Sequence, residues 1–227
     1  MSNAGGSASE TWLELGLNVA APTLVLMFLS GDDRLGSEVA LVVALGFPVL
    51  HGLRALIRSE TISPFTVLAL ISVTLTGGIG LLELDVAWLA WKEAALPAVM
   101  GLLALWTARG ERPAMTLLLE RLVDPEKTAA ALDDDTKRAA WIRHSARATI
   151  WLGGMYLLTG IASFGLARYL VTSPTGTEAF NVELGHMTAM TFPVIGLPSM
   201  VGTAAVLWMF NSGLQKDIGV QVDDLLR

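Results

Sequence analysis

The sequence predicts an all-α, polytopic integral membrane protein with six transmembrane helices and amphipathic cytoplasmic helices between spans four and five. Three observations carry that prediction: the composition, the long apolar runs and the one-sided placement of lysine and arginine. Of the 227 residues 53% are hydrophobic and 16% charged, with a mean hydropathy of +0.57, against about 25% charged residues in ordinary soluble domains. Crossing a hydrocarbon core of about 30 Å takes about 20 helical residues. Runs of that order occur at about 12–29, 39–57, 64–84, 86–107, 148–171 and 187–210. Each is apolar on all sides, and a chain of this length has too little polar surface to cover six such helices in water. The runs are also too long, and lack the alternation, to be strands of a membrane barrel.

Residues 1–11 form a small, polar tail beginning "MSNAGGSASE", in which "SNA" has the look of a cloning scar; without lysine or arginine it lacks the basic flank of a secretory signal. The first apolar run therefore reads as a retained helix, and residues 12–210 as one transmembrane domain followed by a cytoplasmic tail, 211–227. Short loops rich in basic residues stay cytoplasmic. With six spans, Arg54, Arg58, Arg109, Arg112, Arg121, Lys127, Lys137, Arg138, Arg143, Arg147, Lys216 and Arg227 all share one side with both termini, and only Arg34, Lys92 and Arg168 fall on the other. Both termini are thus expected in the cytoplasm.

Tryptophan and tyrosine favour the headgroup level. In this arrangement Trp12, Trp106, Trp151 and Trp208 fall near inner ends, and Trp88, Trp91 and Tyr169 near outer ends. Trp141 alone lies elsewhere, in segment 108–147. There "RPAMTLLLERLV" and "DDDTKRAAWIRHSAR" mix apolar and basic positions, as two interfacial amphipathic helices do. Asp124-Pro125 separates them, with Asp124 expected as a cap; a plain solvated linker is the alternative.

Charges inside a span cost about 2.5–3.5 kcal/mol on insertion scales, so they seek partners or water. "LAWKEAALPAV" puts Lys92 and Glu93 about one and a half turns below the outer end of span four. Neighbouring helical positions point about 100° apart, so each is expected to find its partner on another helix. Glu83, Asp85, Arg168, His186 and Asn181 share that outer level. The set is read as a substrate-binding site, an ion-pair network or an interfacial anchor, with Arg168 and His186 as anchor and cap. A secondary inner set is Asn18, His51 and Arg54, where stitching of helices and ordinary anchoring are the simpler roles. Pro22, Pro48, Pro97, Pro193 and Pro198, with Gly77, Gly78 and Gly80 interrupting span three, suggest broken helices of the kind found in transporters. The glycines of span five, Gly153, Gly154, Gly160 and Gly165, equally suit close helix packing.

There is no cysteine, no protease, hydrolase or nucleotide-binding motif, and the three histidines are scattered. No metal or cofactor is expected, a net charge of −6 disfavours nucleic acid, and an enzyme is not expected.

The stretches "TGGIGLLELDVAWLAWKEAALPAVMG" (76–101) and "VTSPTGTEAFNVELGHMTAMTFPVIGLPSM" (171–200) resemble blocks of a group of bacterial inner-membrane proteins related more distantly to intracellular septation protein A. The resemblance runs from about residue 15 to 208. Trp91-Lys92, Gly77-Gly78 and Thr188-Ala189 are kept, whereas Glu93 stands where that family is apolar and segment 108–147 is longer. It implies a non-enzymatic protein of cell-envelope biogenesis or septation, acting through contacts with other envelope or division membrane proteins, or as a homo-oligomer, in the lipid bilayer. A small transporter or lipid-handling protein using the cluster around Lys92 and Glu93 is the alternative.

Overall fold

A computed structural model describes residues 20–58, 64–110 and 112–226, with the backbone alone described for 51, 52, 55, 56, 58 and 64–70. Among the described residues all regular structure is helical: α1 (Ala21–Leu29), α2 (Ser37–Arg58), α3 (Pro64–Leu81), α4 (Ala87–Thr107), α5 (Ala114–Leu119), α6 (Pro125–Ala131), α7 (Asp135–Leu170), α8 (Glu178–Thr191), a π turn (Phe192–Gly196), α9 (Leu197–Ile218) and α10 (Val222–Leu225). Three stretches, Ala87–Thr107, Asp135–Leu170 and Glu178–Ile218, are long and apolar enough to cross a membrane.

The chain divides into two compact units. One comprises residues 1–93 and 163–194, the other 94–162 and 195–227. In the first, α1 packs on α2 and α8, and α2 on α3, around Leu26, Leu41, Ile79, Leu89, Phe180 and Leu184, each buried. Gly80 lets α2 approach closely, since a Cβ there would collide with Leu41 and press on Phe180. Far from interrupting span three, Gly77, Gly78 and Gly80 lie inside one continuous helix; absent side chains give room for Leu45 and Leu41 without breaking the backbone ladder.

In the second unit Met115, Leu119, Trp141, Leu152, Phe210 and Leu214 form the core, with Trp141 set edge-on to Phe210 at 5.6 Å. α5 is fixed to α7 by the Met115 amide, which donates to the buried Thr149 hydroxyl at 3.0 Å. α4 and α7 come together at Gly101 and Gly153, where a Cβ on either would stand about 3 Å from the other's carbonyl oxygen.

Several boundaries differ from the sequence expectation. The second amphipathic segment is not a separate helix. Asp124 does cap a helix, its Oδ1 accepting from the amides of Glu126 (2.8 Å) and Lys127 (3.3 Å), but that helix is the short α6. "DTKRAAWIRHSAR" instead runs without a break into the apolar part of the 36-residue α7. Charged residues tolerate a helix well, so hydropathy marks where the apolar surface starts and not where the helix does. The start of α7 is itself capped: the Lys137 amide donates to Asp134 Oδ1 at 2.8 Å. Beside it the Lys137 ammonium, 2.7 Å from Asp133, holds the Asp133 carboxyl below its ordinary value through their hydrogen bond. In the same way α8 begins at Glu178 instead of 187, capped by the Thr177 hydroxyl accepting from the Phe180 amide at 3.1 Å. His186 is therefore an exposed mid-helix residue and not a cap.

Pro48 and Pro97 lie within continuous helices, and Pro22 and Pro198 occupy the second positions of α1 and α9, the latter directly after the π turn. The irregularity is the π turn holding Pro193.

Candidate functional site

α4 carries its two charges in a knot centred on Lys92. Lys92 Nζ lies 2.6 Å from Glu93 Oε1, 2.7 Å from Thr76 Oγ1 and 3.3 Å from Ser72 Oγ. An ammonium has three N–H donors, and these three acceptors match them. Its side chain is 11% exposed and that of Glu93 30%.

The contact between Lys92 and Glu93 departs from the expectation that adjacent positions look apart. Their Cβ bonds do diverge, but the four-carbon lysine stem bends its head back to the neighbouring carboxylate. The expected partner on another helix is also present, as hydroxyls and not as a charge. Ser72 and Thr76 are four apart on α3, hence on one face, and Thr76 Oγ1 donates onward to the Ser72 carbonyl at 3.0 Å. Two hydroxyls at that spacing in an apolar helix are the sequence signal that would have found them.

Of the other residues expected at that level, Glu83 and Asp85 serve turns. Among the described residues no hydrogen bond or ion pair joins Lys92 or Glu93 to Glu83, Asp85, Arg168, His186 or Asn181. Glu83 ends α3 in the left-handed conformation, φ 49°. The Leu84 amide donates to the Ile79 carbonyl at 3.0 Å and the Glu83 amide to Gly80 at 3.3 Å, the pattern that closes a helix and usually takes glycine. Asp85 Oδ1 accepts from the Ala87 amide at 2.7 Å and opens α4. Arg168 is exposed in the last turn of α7.

Asn181 is buried and works between helices. Its Nδ2 donates to Ser30 Oγ at 3.1 Å and to the Ser37 carbonyl at 2.7 Å, tying α8 to the turn between α1 and α2. Two more bonds join the same end of this unit: Ser37 Oγ to the Gly176 carbonyl at 2.6 Å and Thr175 Oγ1 to the Leu84 carbonyl at 2.8 Å. Glu183 gathers residues 172 and 173, accepting from both amides at 2.8 Å and from the hydroxyls of Thr172 at 3.3 Å and Ser173 at 2.8 Å. These contacts make a collar of loops at one end of the unit. Asn18 and the side chain of His51 lie outside the described residues, and Arg54 is exposed on α2.

A second charged group, which sequence reasoning left unassembled, lies in the other unit. Asp217 Oδ2 receives Arg143 Nη2 at 2.6 Å and His144 Nε2 at 2.9 Å. Gly213 makes this possible, since a Cβ there would strike the His144 ring. The partners are 73 and 74 residues apart, so no local pattern announces them. A cavity of about 280 Å³ beside them is lined by His144, Arg147, Gly213, Lys216 and Asp217 among others. It shares Trp151 and Met209 with an apolar groove of about 610 Å³ between α7 and α9.

Compared with models of known protein families, with characterised proteins and with solved structures, the chain matches none.

Proposed function

We propose that this chain is a non-enzymatic protein of the bacterial inner membrane, with six spans and both termini cytoplasmic, acting in envelope biogenesis or septation through contacts with other membrane proteins. The observation that carries this reading is the saturated Lys92: its three donors are taken by Glu93, Thr76 and Ser72. That leaves the ammonium no donor for a substrate, the remaining acceptor capacity being that of the Glu93 carboxylate, 30% exposed. Such a knot fits a device that holds α3 and α4 together.

Three further features support the wider reading. At 22 and 18 residues, α2 and α3 are about 33 and 27 Å long, enough for spans beside the three longer apolar stretches. Trp88, Trp91, Trp106, Trp151, Trp208 and Tyr169 are all at least 60% exposed while Trp141 is buried, as aromatic residues at a bilayer interface require. The basic residues gather on one side of a six-span topology, and the resemblance to relatives of septation protein A supplies the process.

The competing reading, a small transporter or lipid-handling protein working through Lys92 and Glu93, differs in outcome. We expect Lys92→Ala and Glu93→Ala to lower the yield of folded protein, with activity per folded molecule intact. Normal folding with lost uptake or binding would favour transport. Labelling of single cysteines introduced into this cysteine-free chain tests the topology. A label at Thr177 reacting only from the cytoplasm would overturn the six-span arrangement.

A further inference from the structure

We propose that the face made by α7 and α9 in the second unit binds an anionic phospholipid, its phosphate held by Arg147 and Lys216 and one acyl chain lying in the groove past Gly154 and Gly202. The inference uses only the membrane character of the chain and is independent of the envelope-biogenesis reading and of Lys92.

The first support is continuity. The apolar groove of about 610 Å³ and the charged cavity of about 280 Å³ share Trp151 and Met209, so one molecule with a charged head and a hydrocarbon tail spans both. The groove offers Leu158, Val206 and Met155 for contact, with Gly154 facing open space and Gly202 making room for the Met155 thioether.

The second support is charge. Asp217 is already engaged by Arg143 and His144. Among the described residues no ion pair or hydrogen bond engages the side chains of Arg147 or Lys216, both exposed at the cavity. With Asp217 balanced by Arg143, two cations remain over, matching a phosphate diester with further acceptor oxygens. Basic pockets between membrane helices select anionic headgroups in this way.

The third support is length. From Arg147 to Leu158 is eleven residues, about 16 Å along the helix, close to half of a hydrocarbon core of about 30 Å. Trp151, one turn from Arg147 and 62% exposed, then stands at the headgroup boundary. A free phosphate would use only the basic end, and a helix from a second copy only the groove.

The test uses the full chain, purified in detergent and stripped of lipid, with retention of added ligand read by native mass spectrometry. The probes are phosphatidylglycerol, phosphatidylcholine and inorganic phosphate. Phosphatidylglycerol should be retained preferentially, and Arg147→Gln and Lys216→Gln should each weaken it by about five-fold. Gly154→Phe, at a position where a Cβ meets nothing within 4 Å, should weaken phosphatidylglycerol as well. Equal retention of the two lipids, or phosphatidylglycerol binding unmoved by both charge variants, overturns the proposal. So does inorganic phosphate competing fully at equal concentration with no effect of Gly154→Phe, which marks a free-anion site. A dimer dissolved by Gly154→Phe, with no lipid preference, overturns it in favour of a second copy of the chain.

Discussion

The two charged groups of this protein resemble each other in residue type and differ in how far they are satisfied. Lys92 sits among one carboxylate and two hydroxyls, at 2.6, 2.7 and 3.3 Å. Around Asp217, one carboxylate meets Arg143 and His144 while Arg147 and Lys216 stay uncommitted in an adjoining cavity. In an environment where an unpaired charge is costly, a saturated cluster is an internal fastening. An unsaturated one at a surface is an offer to a ligand. The difference lies in the acceptor count, and a sequence scanned for charges at membrane depth draws attention to the wrong one.

If the comparison is right, disturbing the saturated cluster should cost stability first. Glu93→Ala leaves the Lys92 ammonium with hydroxyl partners only and should destabilise the folded protein by about 2 kcal/mol, read as a lowered unfolding midpoint in detergent. Asp217→Asn, at a carboxylate itself 34% exposed that faces the 49%-exposed Arg143 and the buried His144, should cost less, because solvent screens the pair. Equal losses at the two sites would erase the distinction.

The collar sharpens it further, because Asn181 and its partners there are neutral and hydrogen-bonded. Asn181→Ala removes one buried and one part-buried hydrogen bond and should cost about 1–2 kcal/mol, with faster amide exchange confined to the turn at 30–36. The smallest effect has the opposite sign. Glu83→Gly relieves a left-handed backbone at φ 49° and should stabilise by about 1 kcal/mol or less, seen as a slightly raised midpoint. A clear loss there would mean that the Glu83 side chain does more than close α3.

How much of this was readable in the sequence follows from the range of each interaction. The helices were readable because apolar runs report burial or lipid contact residue by residue, and the Asp124 cap because it acts within three residues of itself. Helix starts at Asp135 and Glu178 were not, since polar residues that continue a helix look like a loop to a hydropathy scan. Lys92 was found and its carboxylate partner misjudged, because Cβ directions were weighed and the reach of the lysine stem was not. The role of Asn181 depends on Ser30 and Ser37, 151 and 144 residues away. That of Asp217 depends on a glycine turn of α9 meeting a histidine of α7. Such pairings belong to tertiary structure, and no spacing rule encodes them.

The central claim, that Lys92 and Glu93 form a closed fastening, is tested most directly by a double-mutant cycle on unfolding free energy with Lys92→Met and Glu93→Gln. A coupled pair predicts that each single variant is destabilised while the double variant regains much of the loss, with a coupling of about 1–2 kcal/mol. Single losses that add within about 0.5 kcal/mol would contradict it and show that the two side chains act separately.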